Sequence, residues 1–157
     1  MEARRLVEFA CGWDPGQQIA SPDRTLSPDQ CTWLADAMQR RLEDEPLSRI
    51  LGRRAFWGLD LSIAGAPLDP RADTETLVEL VLDTCAKRTQ PPAHILDLGT
   101  GSGAILLALL SHYPGATGMG IDQSPETLGV ARQNAANLGF AARTEFVLGD
   151  WLSGVEG

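Results

Sequence analysis

His94-Ile95-Leu96-Asp97-Leu98-Gly99-Thr100-Gly101-Ser102-Gly103-Ala104-Ile105 is the stretch that decides the fold. Its first five residues read as a short apolar strand. Three glycines at alternate positions then make a turn, and an apolar helix follows from about Ser102 to His112. Glycines between a strand and a helix let the backbone turn sharply and let a ligand approach with no Cβ in the way.

The pattern continues downstream. Thr117-Gly118-Met119-Gly120-Ile121-Asp122 reads as a second strand, and Ser124-Pro125-Glu126 caps a helix running to about Leu138. Thr144 to Leu148 reads as a third strand ending at Gly149-Asp150-Trp151. Alternation of this kind predicts an α/β fold with a parallel sheet and covering helices. Upstream, Thr89-Gln90-Pro91-Pro92 is a linker, which starts this part at residue 91.

Residues 46–90 have a different character. Phe56 to Ile63 alternates well enough for a strand, and Gly65-Ala66-Pro67 is expected to turn into a second short one. Asp73 is placed to cap a helix from Thr74 to Lys87 with Leu77, Leu80, Val81 and Cys85 on one apolar face. Residues 1–45 read as helices. Ser27-Pro28-Asp29-Gln30 is a capping box, after which Cys31, Leu34, Met38 and Leu42 recur at helical spacing. An earlier helix stops at Cys11-Gly12, and the turn-rich segment from Asp14 to Ser27 joins the two.

Composition narrows the function classes. The 157 residues carry 13 basic and 21 acidic side chains, a net charge of −8. Beyond Pro91 only Arg132 and Arg143 face Asp97, Asp122, Glu126, Glu145, Asp150 and Glu156. No Lys/Arg stripe is set to neutralise phosphates, so nucleic acid is not the expected partner. An acidic cleft suits a cationic ligand instead. No apolar run approaches the roughly 20 residues of a membrane helix, and the charged start lacks a signal-peptide core, so the expected location is cytoplasmic. Cys11, Cys31 and Cys85 form no CxxC pair and are expected to be reduced and mostly buried. His94 and His112 lack partners at ligand spacing, and no metal site is expected.

The loop alone leaves its ligand open. Gly99 to Ala104 also fits the dinucleotide fingerprint G-x-G-x-x-G/A, and Asp122, about 20 residues on, suits the ribose of either NAD or S-adenosylmethionine. Asp97 helps to separate them. A carboxylate there is awkward beside an anionic pyrophosphate and useful beside a cationic amino group and a sulfonium. Asp150 can accept from an exocyclic amine, and Trp151 offers an adenine ring an apolar face, although a tryptophan there also fits an ordinary core position. Trp57, beside Phe56 in the expected strand, reads as a packing residue.

Asp97 to Ile105 resembles motif I of class I methyltransferases. More narrowly, Glu45-Pro46-Leu47-Ser48-Arg49-Ile50-Leu51-Gly52-Arg53-Arg54-Ala55-Phe56-Trp57-Gly58-Leu59 resembles the domain-joining segment of the release factor glutamine methyltransferases (the HemK/PrmC family). Pro70-Arg71-Ala72-Asp73-Thr74-Glu75-Thr76-Leu77-Val78-Glu79 resembles their Pro-Arg-Pro-Asp/Glu-Thr-Glu segment, with Ala72 in place of the second proline. The resemblance implies an incomplete class I, Rossmann-like methyltransferase sheet preceded by a small helical domain and a β-hairpin linker. It implies S-adenosylmethionine as cofactor, held at Gly99, Thr100, Gly101, Ser102, Gly103, Asp122 and Trp151. The implied activity is methyl transfer to the side-chain amide of the Gln in the Gly-Gly-Gln loop of class I peptide chain release factors, with the helical domain docking that partner.

The resemblance also sets expectations about extent. The family normally has a helix before the one starting at Glu2. Its acceptor-binding Asn-Pro-Pro-Tyr motif is expected beyond Gly157, so no residue here is a catalytic candidate. The family sheet has the order 3-2-1-4-5-7-6, of which this chain supplies strands one to three. His94 to Leu98 is then an exposed edge, and self-association is expected. Two other readings remain: a non-catalytic module that binds cofactor or partner, and a glutamine methyltransferase acting on a ribosomal protein.

Overall fold

In the computed structural model, which describes residues 2–64 and 70–154, the chain divides into two units between Gly52 and Arg53. The first is helical. α1 (Glu2–Cys11), α2 (Pro15–Ala20), α3 (Pro28–Leu42) and α4 (Leu47–Leu51) follow one another around a small core of Leu6, Leu34, Ala37 and Ile50. The Ser27–Gln30 capping box starts α3, with each partner bonding the other's backbone amide. The connecting segment is not all turn. Asp14 and Gln17 form a second capping box and start α2.

Two sequence expectations for this unit are corrected. The buried stripe of α3 is Leu34 and Ala37, with Trp33 beside them; Met38 and Leu42 are 57% and 79% exposed and Cys31 is exposed. The register slips because α3 rests on α1 through a small contact, and Ala37 allows closer approach than Met38. The unit also runs to Gly52 instead of Glu45. Leu47, Ile50 and Leu51 of α4 pack on its core, and Gly52, left-handed at φ 65°, ends that helix.

The second unit opens with a hairpin, β1 (Arg53–Phe56) against β2 (Leu59–Ser62). The expected single strand from Phe56 to Ile63 is therefore broken. Trp57 and Gly58, at φ 52° and 73°, form the two-residue turn between the strands. The turn expected at Gly65-Ala66-Pro67, with its second strand, lies outside the described residues. α5 spans Ala72–Ala86 and is entered from Arg71, which makes no side-chain cap. Asp73 lies inside the helix instead of capping it. Val78 is its fully buried residue, with Val81 and Leu82 beside the core, whereas Leu77 and Leu80 are 46% and 61% exposed.

The βαβαβ part consists of β3 (His94–Leu98), α6 (Ala104–His112), β4 (Thr117–Asp122), α7 (Pro125–Asn137) and β5 (Thr144–Leu148). The strands are parallel in the order β3-β4-β5. α6 is apolar all round because it is the centre of the core: Leu106, Leu107, Ala108 and Leu110 are fully buried. Side chains alternate across the sheet. Gly118 of β4 faces Leu106 and Leu110 of α6. Leu96, Met119 and Glu145 form a row on the opposite side, where Leu96 is 46% exposed.

Candidate functional site

The register brings the carboxyl ends of the three strands level: Leu98 pairs with Ile121, and Asp122 with Leu148. Ligands of open α/β sheets bind at such ends. A pocket of about 270 Å³ lies there, lined by Leu98, Gly99, Ile121, Asp122, Gln123, Gly149 and Trp151. The loop is pinned from below, since the amides of Gly99 and Thr100 both donate to the Ile121 carbonyl at 2.8 and 2.9 Å. Gly103 closes the loop at φ 82° and lies where a Cβ would meet Leu107 at 3.3 Å and Ala131 at 3.5 Å. Glycine answers both constraints.

Asp122 organises the pocket floor. Its Oδ2 accepts from the Gly101 amide at 2.9 Å and its Oδ1 from the Ser124 amide at 3.0 Å. A carboxylate has about four acceptor positions, so two remain for ligand hydroxyls. Behind the loop, Asp97 Oδ2 accepts from the Thr100 hydroxyl at 2.8 Å. Burial pushes the Asp97 carboxyl above the usual aspartate range, and the nearby charge of Asp122 adds to this. Bonding from Thr100 and the Leu106 backbone pulls the other way.

The expected site residues do not all occupy equivalent places. Gly99, Asp122 and Trp151 line the pocket together. Gly101 holds Asp122 through its amide. Thr100, Ser102 and Gly103 are buried; Thr100 serves Asp97, and Ser102 offers its carbonyl to Asn134 at 2.9 Å. Trp151, at φ 52°, is 71% exposed, so it is not a core residue. Asp150 accepts from the Gln123 side chain at 2.6 Å. Sequence reasoning missed Gln123 and Asn134. Gln123 could have been found as the residue after the strand-end carboxylate. Asn134 carries no local signal, because its partners are far off in sequence.

The fold and this strand-end pocket define a methyltransferase-type α/β domain, and residues 90–156 match the family model described as a methyltransferase domain. Residues 1–52 match the one described as the PrmC N-terminal domain. The chain is similar to the release factor glutamine methyltransferase of Rhodospirillum rubrum, with 47% identity over 99% of this chain and 47% of that protein. It is also similar to that of Bradyrhizobium diazoefficiens, with 46% identity over 100% of this chain and 53% of that protein. A SAM-dependent methyltransferase structure from Agrobacterium tumefaciens shares the fold, with TM-score 0.53 and 15% identity over 64% of this chain and 32% of that one. The chain belongs to the release factor glutamine methyltransferase family. It spans about half the length of the curated relatives it matches.

Proposed function

We propose that the strand-end pocket binds S-adenosylmethionine, and that the chain is the cofactor-binding and partner-docking portion of a cytoplasmic enzyme that methylates the Gly-Gly-Gln glutamine of class I release factors. The observation that carries the cofactor reading is the pairing of Asp122 on the pocket floor with the half-buried Asp97 behind the loop, in a pocket whose lining residues include no Lys or Arg. Asp122 takes the ribose hydroxyls through its unused lone pairs, Trp151 stacks on the adenine, and the acidic floor attracts the amino group and sulfonium. S-adenosylmethionine supplies the electrophilic methyl; this chain's residues bind and orient it.

The release factor substrate is supported by the names of the relatives. An amide nitrogen is a weak nucleophile, because its lone pair is delocalised, and it needs its N–H groups held on fixed acceptors in line with the methyl. The resemblance assigns those acceptors to Asn-Pro-Pro-Tyr, a sequence these 157 residues do not contain. The chain by itself is therefore proposed to bind cofactor without transferring methyl.

Calorimetric titration with S-adenosylhomocysteine tests the cofactor reading. Binding is expected, and Asp122→Ala weakens it by about 1.5–3 kcal/mol, the range for hydrogen bonds to charged groups. NAD gives no comparable heat. Tighter binding of NAD than of S-adenosylhomocysteine overturns the reading.

A further inference from the structure

We infer that Asn134 is a positioning residue of the glycine loop, tying the end of the β1–β2 hairpin to the turn that holds the ligand. The inference rests on the cofactor reading above. Asn134 lies on α7 and is 1% exposed. Its Oδ1 accepts from the Ser62 amide at 2.8 Å, while its Nδ2 donates to the Ser62 carbonyl at 3.0 Å and to the Ser102 carbonyl at 2.9 Å. Both backbone polar groups of Ser62, the last residue of β2, are thus bonded by one side chain as a neighbouring strand would bond them. The remaining donor reaches the loop.

The partners determine the side chain. One backbone amide requires an acceptor and two carbonyls require donors, which fixes the orientation of the primary amide. Aspartate offers no donor, leucine offers no polar atom, and glutamine is one methylene too long for a site this tightly filled. One turn earlier on the same helix, Ala131 lies beside Gly103, so α7 rests directly on the loop. Ser62 and Asn134 do not line the pocket. Asn134 therefore acts on the ligand only through the position of Ser102 and its neighbours. The tie is reciprocal: whatever steadies the loop also steadies the end of the hairpin.

The test compares this chain with Asn134→Leu, Asn134→Asp and a control of similar destabilisation, Val78→Ala, in the α5 part of the core. S-adenosylhomocysteine binding by calorimetry is expected to fall roughly tenfold in both Asn134 variants, the equivalent of about one lost hydrogen bond, and to be unchanged in Val78→Ala. Amide exchange on the unmutated chain supplies a readout that needs no variant. Ligand is expected to slow exchange at Ser62, although Ser62 does not touch it, and Val78→Ala retains this response. Unchanged affinity in Asn134→Leu, equal losses in Asn134→Leu and Val78→Ala, or a Ser62 amide indifferent to ligand overturns the inference. Failure of the unmutated chain to bind S-adenosylhomocysteine overturns the cofactor reading instead. The tie is then judged without ligand, from faster exchange at the Gly101 and Gly103 amides in Asn134→Leu than in Val78→Ala.

Discussion

Asp97 opposes stability to ligand binding at a single side chain. Its pKa is raised by burial, so the native state holds this proton more tightly than the unfolded chain does. The resulting stabilisation is complete below the unfolded value, about 3.9, and is lost as pH rises through the raised native value. Asp97→Asn keeps an acceptor for Thr100 and removes the partly desolvated charge. The variant is expected to be more stable than the parent in urea at pH 7, with the gain vanishing as pH falls below the unfolded aspartate value. It should also bind S-adenosylhomocysteine about tenfold or more weakly, since the attraction of a carboxylate behind the loop for the ligand's cationic amino group is lost. A variant that loses stability at pH 7 would contradict this account. At Trp151 the expected outcome is optical: ligand changes the tryptophan emission, and Trp151→Phe abolishes most of that change.

The placement of Asp97 and Asp122 at the strand ends was legible because each lies at the close of a short apolar run, just before a glycine turn or a helix cap. What the sequence did not convey was which loop residues line the pocket. Alternate positions of Gly99 to Gly103 look equivalent on paper, yet Thr100 and Ser102 point inward to Asp97 and α7.

Among the elements, α6 and β4 fit together through missing side chains. A Cβ on Gly118 would lie 2.7 Å from Leu106 Cδ1 and 3.0 Å from Leu110 Cδ1, and both leucines are fully buried and unable to swing away. Gly118→Ala is expected to destabilise the second unit by about 1–3 kcal/mol, measured by chemical denaturation. The turn after α6 is held from β5's side. Arg143 donates to the carbonyls of Leu110, Tyr113 and Ala116 at 3.1, 3.0 and 2.8 Å, clamping the last turn of α6 to the turn that follows it. Arg143→Ala should cost about 2 kcal/mol, and Arg143→Lys recovers little of it because an ammonium cannot span three carbonyls.

Element positions from β3 to β5 were readable because each strand is short, apolar and bounded by glycine or a cap. The faces of α3 and α5 were not. Several apolar stripes fit each helix, and the choice among them is made by what the helix rests on. The Trp57-Gly58 turn was hidden by alternation that continues across it. A tryptophan at positive φ is unusual, and it is held by bonds from its backbone amide to Glu75 at 2.8 Å and from its indole to His112 at 2.7 Å.

At the scale of the chain, β3 lies at an edge of the sheet formed by the described residues, with Leu96 on its exposed face. Unpaired strands with apolar side chains recruit others. The chain is expected to elute from size-exclusion columns at concentration-dependent volumes, and Leu96→Lys shifts it towards the monomer. Concentration-independent monomer behaviour in the parent would refute this. The strand order was implied by the family resemblance and not by periodicity, since no local pattern says which strand is central.

The bonds between Asn134 and Ser62 span 72 positions of the chain. At synthesis rates of 5–20 residues per second, Ser62 is made roughly 4–14 s before the residue that secures it. Through that interval the last backbone groups of β2 are left to water, and the hairpin waits on a partner that the ribosome has not yet made. The glycine loop, whose other fastenings come from β3 and β4, gains its tie to the hairpin only then. The last bonds of the hairpin and the last fastening of the glycine loop therefore close at the same late moment, when Asn134 arrives.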